Sequence, residues 1–335
     1  MKREMFFVTL ICLVLLPVFL LHGYGETGSL KWYKGNTHTH TVNSDGDSSP
    51  DAVARWYMEH RYNFVVITDH NFLTDVRGLN AIYAAKGKFL VLSGDEVSDE
   101  YASPEGRNSA IHLNAVNLAE TLTAAGGGSV VETTQNNVDV INAAGALCHL
   151  NHPNFHWSYT VEEMAAVKNY HLFEMANFHP TVNNAGGGGY PSTEALWDSL
   201  LTRGIRMYGV ASDDAHSFKD FGPEYANPGR GWVMVRCEKL TAENIVAAMD
   251  RGDFYSSCGV VLDDIRCDGK RLTISMKEKN NLKYTVYFIG KGGKTLAESH
   301  DNPAVYRIKG NEGYVRAKVV DSNGLIAWVQ PVVVE

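Results

Sequence analysis

A chain of 335 residues, 44% hydrophobic and 20% charged, can bury a sizeable core, and one large domain plus a small one suits that length better than a single unit. Its net charge of −8 and its lack of a basic run exclude an electrostatic case for nucleic-acid binding. A small anionic substrate is not excluded, because bound metal ions would supply local positive charge.

At the start of the chain, Lys2 and Arg3 precede the apolar run Met5 to Leu21, and Gly23, Gly25 and Gly28 follow. That order describes an export signal over residues 1–25, which places the mature protein in the periplasm or outside the cell. The competing reading is an uncleaved anchor, since about 17 apolar residues is the lower edge for spanning a bilayer. That segment is the only route to a membrane. Cys12 lies mid-run, which argues against a lipid-modified terminus. Export would permit disulfides among Cys148, Cys237, Cys258 and Cys267, but their pairing is not legible. Cys148, inside the run Ala146 to Leu150, reads as a small buried hydrophobe.

From about Lys34 to Arg251, apolar strand-like runs alternate with helical stretches. Phe64 to Thr68, Phe89 to Leu92, Ile111 to Val116, Ala146 to Leu150, Leu172 to Met175 and Met207 to Val210 are expected strands. Asp51 to His60, Val138 to Ala144, Val161 to Val167, Thr193 to Leu201 and Ala242 to Met249 are the expected helices. The alternation predicts an α/β domain with a mostly parallel sheet over residues 30–258. Active groups of such domains sit at the carboxyl ends of strands. The glycine clusters Gly126 to Gly128 and Gly186 to Gly189 lack the order of a phosphate-binding loop and read as surface loops. Beyond Gly259 the runs become short and alternating: Leu272 to Met276, Tyr284 to Ile289, Ala304 to Ile308, Gly313 to Val320 and Ile326 to Val334. They predict a small antiparallel β-sandwich-like domain over residues 259–335.

Six histidines, two aspartates and one glutamate fall in short patches where apolar runs stop. They are His38 and His40 with Asp45, then His70, Glu96, His112, His152, Asp214 and His216. One ion takes about four to six such ligands, so nine candidates predict a multi-metal hydrolytic centre. On an extended segment residues i and i+2 share a face, which lets His38 act with His40 and Asp214 with His216. Asp213 would face away and is read as structural, and Asp69 is expected to orient a ligand histidine. His149 competes with His152, but His152 precedes Pro153, where the strand should stop. His60 and His171 read as ordinary, His300 as a surface residue, and His156 and His179 as able to line a pocket mouth. Each patch alone also fits a satisfied core or surface group; the conjunction favours metal. No Gly-x-Ser-x-Gly, paired catalytic cysteine or His-Glu-x-x-His helix offers another nucleophile, so metal-activated water is the economical one.

The set NTHTH with Asp45, ITDH, GDE, the His112 strand, NHP and DDAH, in that order over residues 36–216, resembles the PHP (polymerase and histidinol phosphatase) superfamily of metal-dependent hydrolases. The segment from Gly313 to Asp321 with Ile326-Ala-Trp is similar to its secreted CehA/McbA-like branch. The resemblance implies a distorted (β/α)7 barrel followed by the small β domain, with two or three divalent ions (zinc, manganese or iron). It would place one ion on His38, His40, Glu96 and Asp214, and a second on a bridging Glu96 with His112 and His152. A third would sit on Asp45, His70 and His216, where Asp45 stands in place of a histidine found in some relatives.

The implied activity is hydrolysis of a small phosphorylated or otherwise anionic substrate by a metal-bridging hydroxide, with Glu96 and Asp214 in catalytic positions. Arg230, between Gly229 and Gly231, is read either as a further anion contact or as a surface turn. Asn151 and Asn177 are candidates for positioning substrate. A carbamate, ester or amide hydrolase on the same centre is one alternative. The other is a non-catalytic exported glycan-binding protein.

Overall fold

The computed structural model describes residues 30–279 and 281–334, so the expected signal over residues 1–25 and Cys12 lie outside the described residues. Among the described residues, no helix is long and apolar enough to cross a membrane.

Strand β1 (Lys31–Asn36) enters the sheet and leads into the segment bearing His38 and His40. Helix α1 (Pro50–Glu59) begins where the Ser49 side chain accepts the Ala52 N–H and Pro50 fills a first-turn position that needs no donor. Its buried Val53, Ala54 and Tyr57 cover Val65 and Ile67 of β2 (Phe64–Ile67), all of whose residues are buried. Helix α2 (Arg77–Tyr83) fully buries none of its residues, though Leu79 and Tyr83 pack against the core beneath it.

Strand β3 (Leu90–Ala102) runs on well past Leu92 and turns directly into β4 (Asn108–Val116), paired antiparallel from Gly94–Val116 to Ala102–Asn108. The expected β/α alternation breaks at this hairpin. It resumes with α3 (Val130–Ala143), β5 (Leu147–Leu150), α4 (Val161–Ala166), β6 (Leu172–Asn177), α5 (Thr193–Thr202) and β7 (Tyr208–Ser212). Each of these three helices starts on a hydroxyl cap, Ser129, Thr160 and Ser192, and Thr160 with Glu163 completes a reciprocal capping box. Strand β8 (Trp232–Cys237), α6 (Ala242–Arg251) and β9 (Phe254–Ser257) follow.

The remaining strands are β10 (Leu262–Cys267), β11 (Arg271–Met276), β12 (Tyr284–Gly290), β13 (Lys294–Ser299), β14 (Ala304–Arg307), β15 (Tyr314–Asp321) and β16 (Ile326–Val333). One sheet has the order β13-β12-β15-β16-β9-β8-β1-β2-β3-β4-β5-β6-β7, and β10-β11-β14 form a second, antiparallel one. Within β1 to β7, only the two pairings made by β4 are antiparallel. A parallel bridge between Thr39 and Ala215 joins the segments leaving β1 and β7. The ligand-bearing turns at the two ends of that strand series therefore meet.

The late strands pack as two layers around Leu272, Ile274, Phe288, Val315, Ala317 and Val329. Their larger layer continues the main sheet through β16 and β9, so this unit shares a sheet with the α/β part. It is also fixed to α5: buried Arg316 pairs with Asp198 at 2.7 Å, Lys318 pairs with Glu194 at 2.6 Å, and Trp328 Nε1 donates to Glu194 at 3.0 Å. No disulfide forms among the described cysteines. Burial in the apolar core pushes the Cys148 thiol up, which leaves it inert.

Candidate metal centre

All nine expected metal ligands converge on one pocket. His38 Nε2 lies 3.1 Å from His40 Nε2, and each lies 3.2 Å from Asp214 Oδ1. Glu96 Oε2 is 3.2 Å from His38 Nε2, 3.3 Å from His40 Nε2 and 3.1 Å from His70 Nδ1. Its other oxygen, Oε1, is 3.1 Å from His112 Nδ1 and 3.2 Å from His152 Nε2. Asp45 lies 3.3 Å from His216 Nε2, 3.5 Å from His40 Nδ1 and 3.6 Å from His70 Nε2.

These spacings fit metal coordination. Two donors each about 2.1 Å from one ion stand roughly 3.0–3.4 Å apart at octahedral to tetrahedral angles. His38 Nε2, His40 Nε2 and Asp214 Oδ1, mutually 3.1–3.2 Å apart, match that range, and Glu96 converges with His38 and His152 and with His70 and His112. Glu96, with one oxygen toward each of two groups, is placed to bridge.

The fold explains the convergence. His38 and His40 leave the end of β1, His70 leaves β2, His152 leaves β5, and Asp214 and His216 leave β7. Glu96 and His112 depart from the strand-end expectation. Both sit inside the long β3–β4 hairpin, where the antiparallel pairing carries their side chains to the pocket. His152 and Asp214 have φ of +24° and +49°, a left-handed conformation that costs a non-glycine residue of order 1–3 kcal/mol. Surrounding hydrogen bonds hold both: Glu174 accepts the His152 N–H at 2.8 Å, and Asn177 Nδ2 donates to Asp214 Oδ2 at 3.0 Å.

Glu174, absent from the expected set, is the hub behind the ligands. Fully buried in β6, it accepts from His38 Nδ1 at 2.7 Å, from the Ser212 hydroxyl at 2.5 Å and from Asn177 Nδ2 at 2.8 Å. With Nδ1–H committed, His38 presents the Nε2 lone pair. The signal was a lone carboxylate between the apolar residues Leu172, Phe173, Met175 and Ala176 of a buried strand, which requires partners.

Asp69, expected to orient a histidine, instead accepts from Thr41 N, Ser44 Oγ and Thr74 Oγ1 and ties down the loop that carries Asp45. Asp213 is structural: it takes the N–H groups of Gly229, Arg230 and Gly231 and the Tyr57 hydroxyl. Arg230 does not line the pocket; its guanidinium donates to Gly222 O and Asn227 Oδ1. A turn whose N–H groups are claimed by Asp213 fixes it there. Asn151 donates to Glu96 Oε1 at 2.8 Å, so Asn151 and Asn177 position carboxylates. His149 contacts Asn114 behind the pocket, and His179 lines it.

Burial disfavours every charge here and prevails at His112 and His179, whose pKa values fall; at Glu96, Asp214, His38 and His70 the neighbouring groups outweigh it. The imidazoles of His38, His70 and His112 hold Glu96 well below the usual carboxylate range, and His38 likewise lowers Asp214. Asp214, Glu96 and Glu174 raise His38, and Glu96 with Asp45 raises His70 to about 9. Such a cluster attracts cations, with protons taking that place when metal is withheld. The pocket, about 140 Å³, is walled by Phe155 and Val182 as well as the ligands. A larger cavity of about 1120 Å³ beside Trp32, Arg236 and Arg271 contains none of these donors.

No family model matches this chain, and no curated protein does. Among solved structures, it is similar to a two-domain protein from Bacteroides vulgatus containing a predicted PHP-like metal-dependent phosphoesterase. The TM-score is 0.52 at 16% identity, over 91% of this chain and 95% of that one. The chain shares the fold of that two-domain protein. Lower similarity, over 58% of this chain, links it to a candidate metal-dependent phosphoesterase from Bifidobacterium adolescentis (TM-score 0.37, 13% identity, 89% of that chain). The same share aligns with an amidohydrolase from Chromobacterium violaceum with bound sulfate and no metal (TM-score 0.39, 14% identity, 93% of that chain).

Proposed function

We propose that this chain is an exported metal-dependent hydrolase acting on phosphoesters. The observation that carries the reading is Glu96, whose two buried oxygens each meet a separate set of histidines. His38, His40, Glu96 and Asp214 would hold one ion, Glu96, His112 and His152 a second, and Asp45, His70 and His216 a third. Divalent cations bound there supply Lewis acidity and neutralise charge on a phosphoryl group. The PHP-like fold shared with the Bacteroides protein supports the choice of bond.

The remaining residues orient and exclude water. Glu174 fixes the ring of His38, Asn177 fixes Asp214, and Asn151 fixes Glu96. His179 Nδ1 accepts from the Thr181 backbone N–H at 3.3 Å. The neutral tautomer therefore carries its proton on Nε2, and burial keeps the ring neutral by lowering its pKa. His179 is thus a hydrogen-bond donor for a phosphoryl oxygen. Phe155 and Val182 close the apolar side of the pocket.

The test is a hydrolase panel of aryl phosphates beside aryl carbamates and esters, run on protein loaded with manganese or zinc. Preferred turnover of phosphates is expected, with a loss above about 100-fold for His38→Ala or Asp214→Ala, beyond the usual effect of a supporting partner. Preference for carbonyl substrates overturns the choice of bond, and a loss of only a few-fold overturns the role of the centre. Export is carried by Lys2, Arg3 and the apolar run from Met5 to Leu21; recovery of the mature protein in the cytoplasm would contradict it.

A further inference from the structure

The metal pocket holds about 140 Å³, while sites that enclose a small-molecule ligand run to about 300–1,000 Å³. It accommodates the reacting group and little more. Beside it lies a groove of about 470 Å³ that shares His112 and Phe155 with the pocket. The geometry points to this groove as the leaving-group subsite, shaped for a neutral, hydroxyl-bearing ring of the monosaccharide type. The inference rests on the phosphoesterase reading and adds the class of substrate.

The floor is the ligand-bearing face of the hairpin continued outward. Residues two apart share a face of a strand, so Glu96 is followed by Ser98 and Glu100 on β3, and His112 by Ala110 and Asn108 on β4. Glu100 pairs directly across from Ala110. At about 3.3 Å per residue, Ala110 stands roughly 7 Å from His112 and Glu100 roughly 13 Å from Glu96. A single ring over Ala110 would thus reach Glu100 and Asn108 at its outer rim while its ester oxygen lies at the pocket. Among the described residues neither of these two side chains has another hydrogen-bond partner, whereas Ser98 is engaged by Glu96 O and His70.

The wall is aromatic and built in place. Phe155 and His156 stack with centroids 4.1 Å apart and planes 18° from parallel. His156 and Trp157 both adopt positive φ, +51° and +55°, a strained turn that needs fixing. Ser158 fixes it to the floor: its hydroxyl accepts the Ala110 N–H at 2.9 Å and donates to Phe155 O at 2.7 Å. The aromatic pair Phe155 and His156 lines the same groove as the unengaged Glu100 carboxylate and Asn108 amide, while Asp99 is taken up by Gly126 N–H and Asn137 Nδ2, and such a lining suits a ring with C–H faces and hydroxyl edges. No lysine or arginine lines the groove, and nearby Arg107 is spent on Glu163 and Ser158 O. A second anionic group on the leaving side is therefore disfavoured. Hydrolysis adds the hydroxyl of one water to phosphorus, breaks the phosphorus–oxygen bond to the ring and delivers the remaining proton to the departing oxygen.

The experiment compares metal-loaded wild type with Ala110→Leu, which fills the groove, and Glu100→Gln. The substrates are methyl phosphate, phenyl phosphate and a set of monosaccharide phosphates. Wild type is expected to favour at least one monosaccharide phosphate over methyl phosphate by tenfold or more in kcat/KM. Ala110→Leu should cut that ratio at least tenfold, and Glu100→Gln should cut it several-fold. Higher kcat/KM for phenyl phosphate than for every monosaccharide phosphate overturns the inference, as does an unchanged ratio in Ala110→Leu. If wild type hydrolyses none of the phosphoesters, the phosphoesterase reading falls, and the subsite is then judged by titrating the free monosaccharides into the same proteins. Binding lost in Ala110→Leu supports the subsite, and no binding to wild type overturns it.

Discussion

Two of the places where the molecule buries charge are built in opposite ways. Between α5 and the late β strands, opposite charges are paired: Arg316 sends Nε and Nη2 to the two oxygens of Asp198 at 2.8 and 2.7 Å, and Lys318 meets Glu194. In the pocket, acceptors face acceptors. Two imidazole nitrogens stand 3.1 Å apart over carboxylate oxygens at 3.2–3.3 Å, an arrangement that protein groups alone satisfy only by taking up protons. Complementary pairs hold two surfaces together, while converging lone pairs call for a cation.

The sharpest way to break that contrast is Glu96→Ala. It should lower kcat by about 1,000-fold or more, well beyond the 10–100-fold of a supporting partner. It should also remove more than one ion, read by elemental analysis, because one side chain serves two sets. On the structural side, Asp198→Ala strands the buried Arg316 guanidinium, at an expected cost of about 3–5 kcal/mol, seen as a large fall in Tm. The folded fraction should keep its metal content, and pairing the change with Arg316→Met should recover much of the loss.

Glu174→Gln tests the layer between these extremes. A fall of about 10–100-fold in metal affinity or activity, with Tm less affected than in Asp198→Ala, is the expected result. The smallest effect is that of pH. His70, raised to about 9 by Glu96 and Asp45 against the effect of burial, carries a proton at neutral pH in metal-free protein and must lose it to bind an ion. His38 is raised as well, so metal affinity should climb steadily above pH 7, by about tenfold per pH unit for each imidazole that must lose its proton, with proton release on binding visible by calorimetry. A profile in His70→Ala as steep as that of wild type would remove His70 from the set.

His38, His40, Asp45, His70, His152, Asp214 and His216 were legible because their patches follow apolar runs that end at the same face, and that ordering survives any uncertainty in strand limits. Glu96 and His112 were found for a reason that was only partly right: the hairpin, not a strand end, delivers them. Glu174 escaped because it has no patterned neighbour, only apolar residues around it. Asp69 was misread, and of the two readings of Arg230 the turn holds and the anion contact does not, because chain position does not reveal which backbone N–H groups lie nearest in space; Thr41 claims the first, and Asp213 binds the turn carrying the second. In the late unit, alternation found β11, β12, β14, β15 and β16. It could not tell that β16 would add to β9 and extend the main sheet, because that pairing joins residues about 70 positions apart.

The most direct test of the metal centre is the stoichiometry of divalent metal on full-length protein purified without chelator and then titrated with manganese and with zinc. At least two ions per chain are expected. Less than one ion per chain, with no uptake of either metal, would contradict the account.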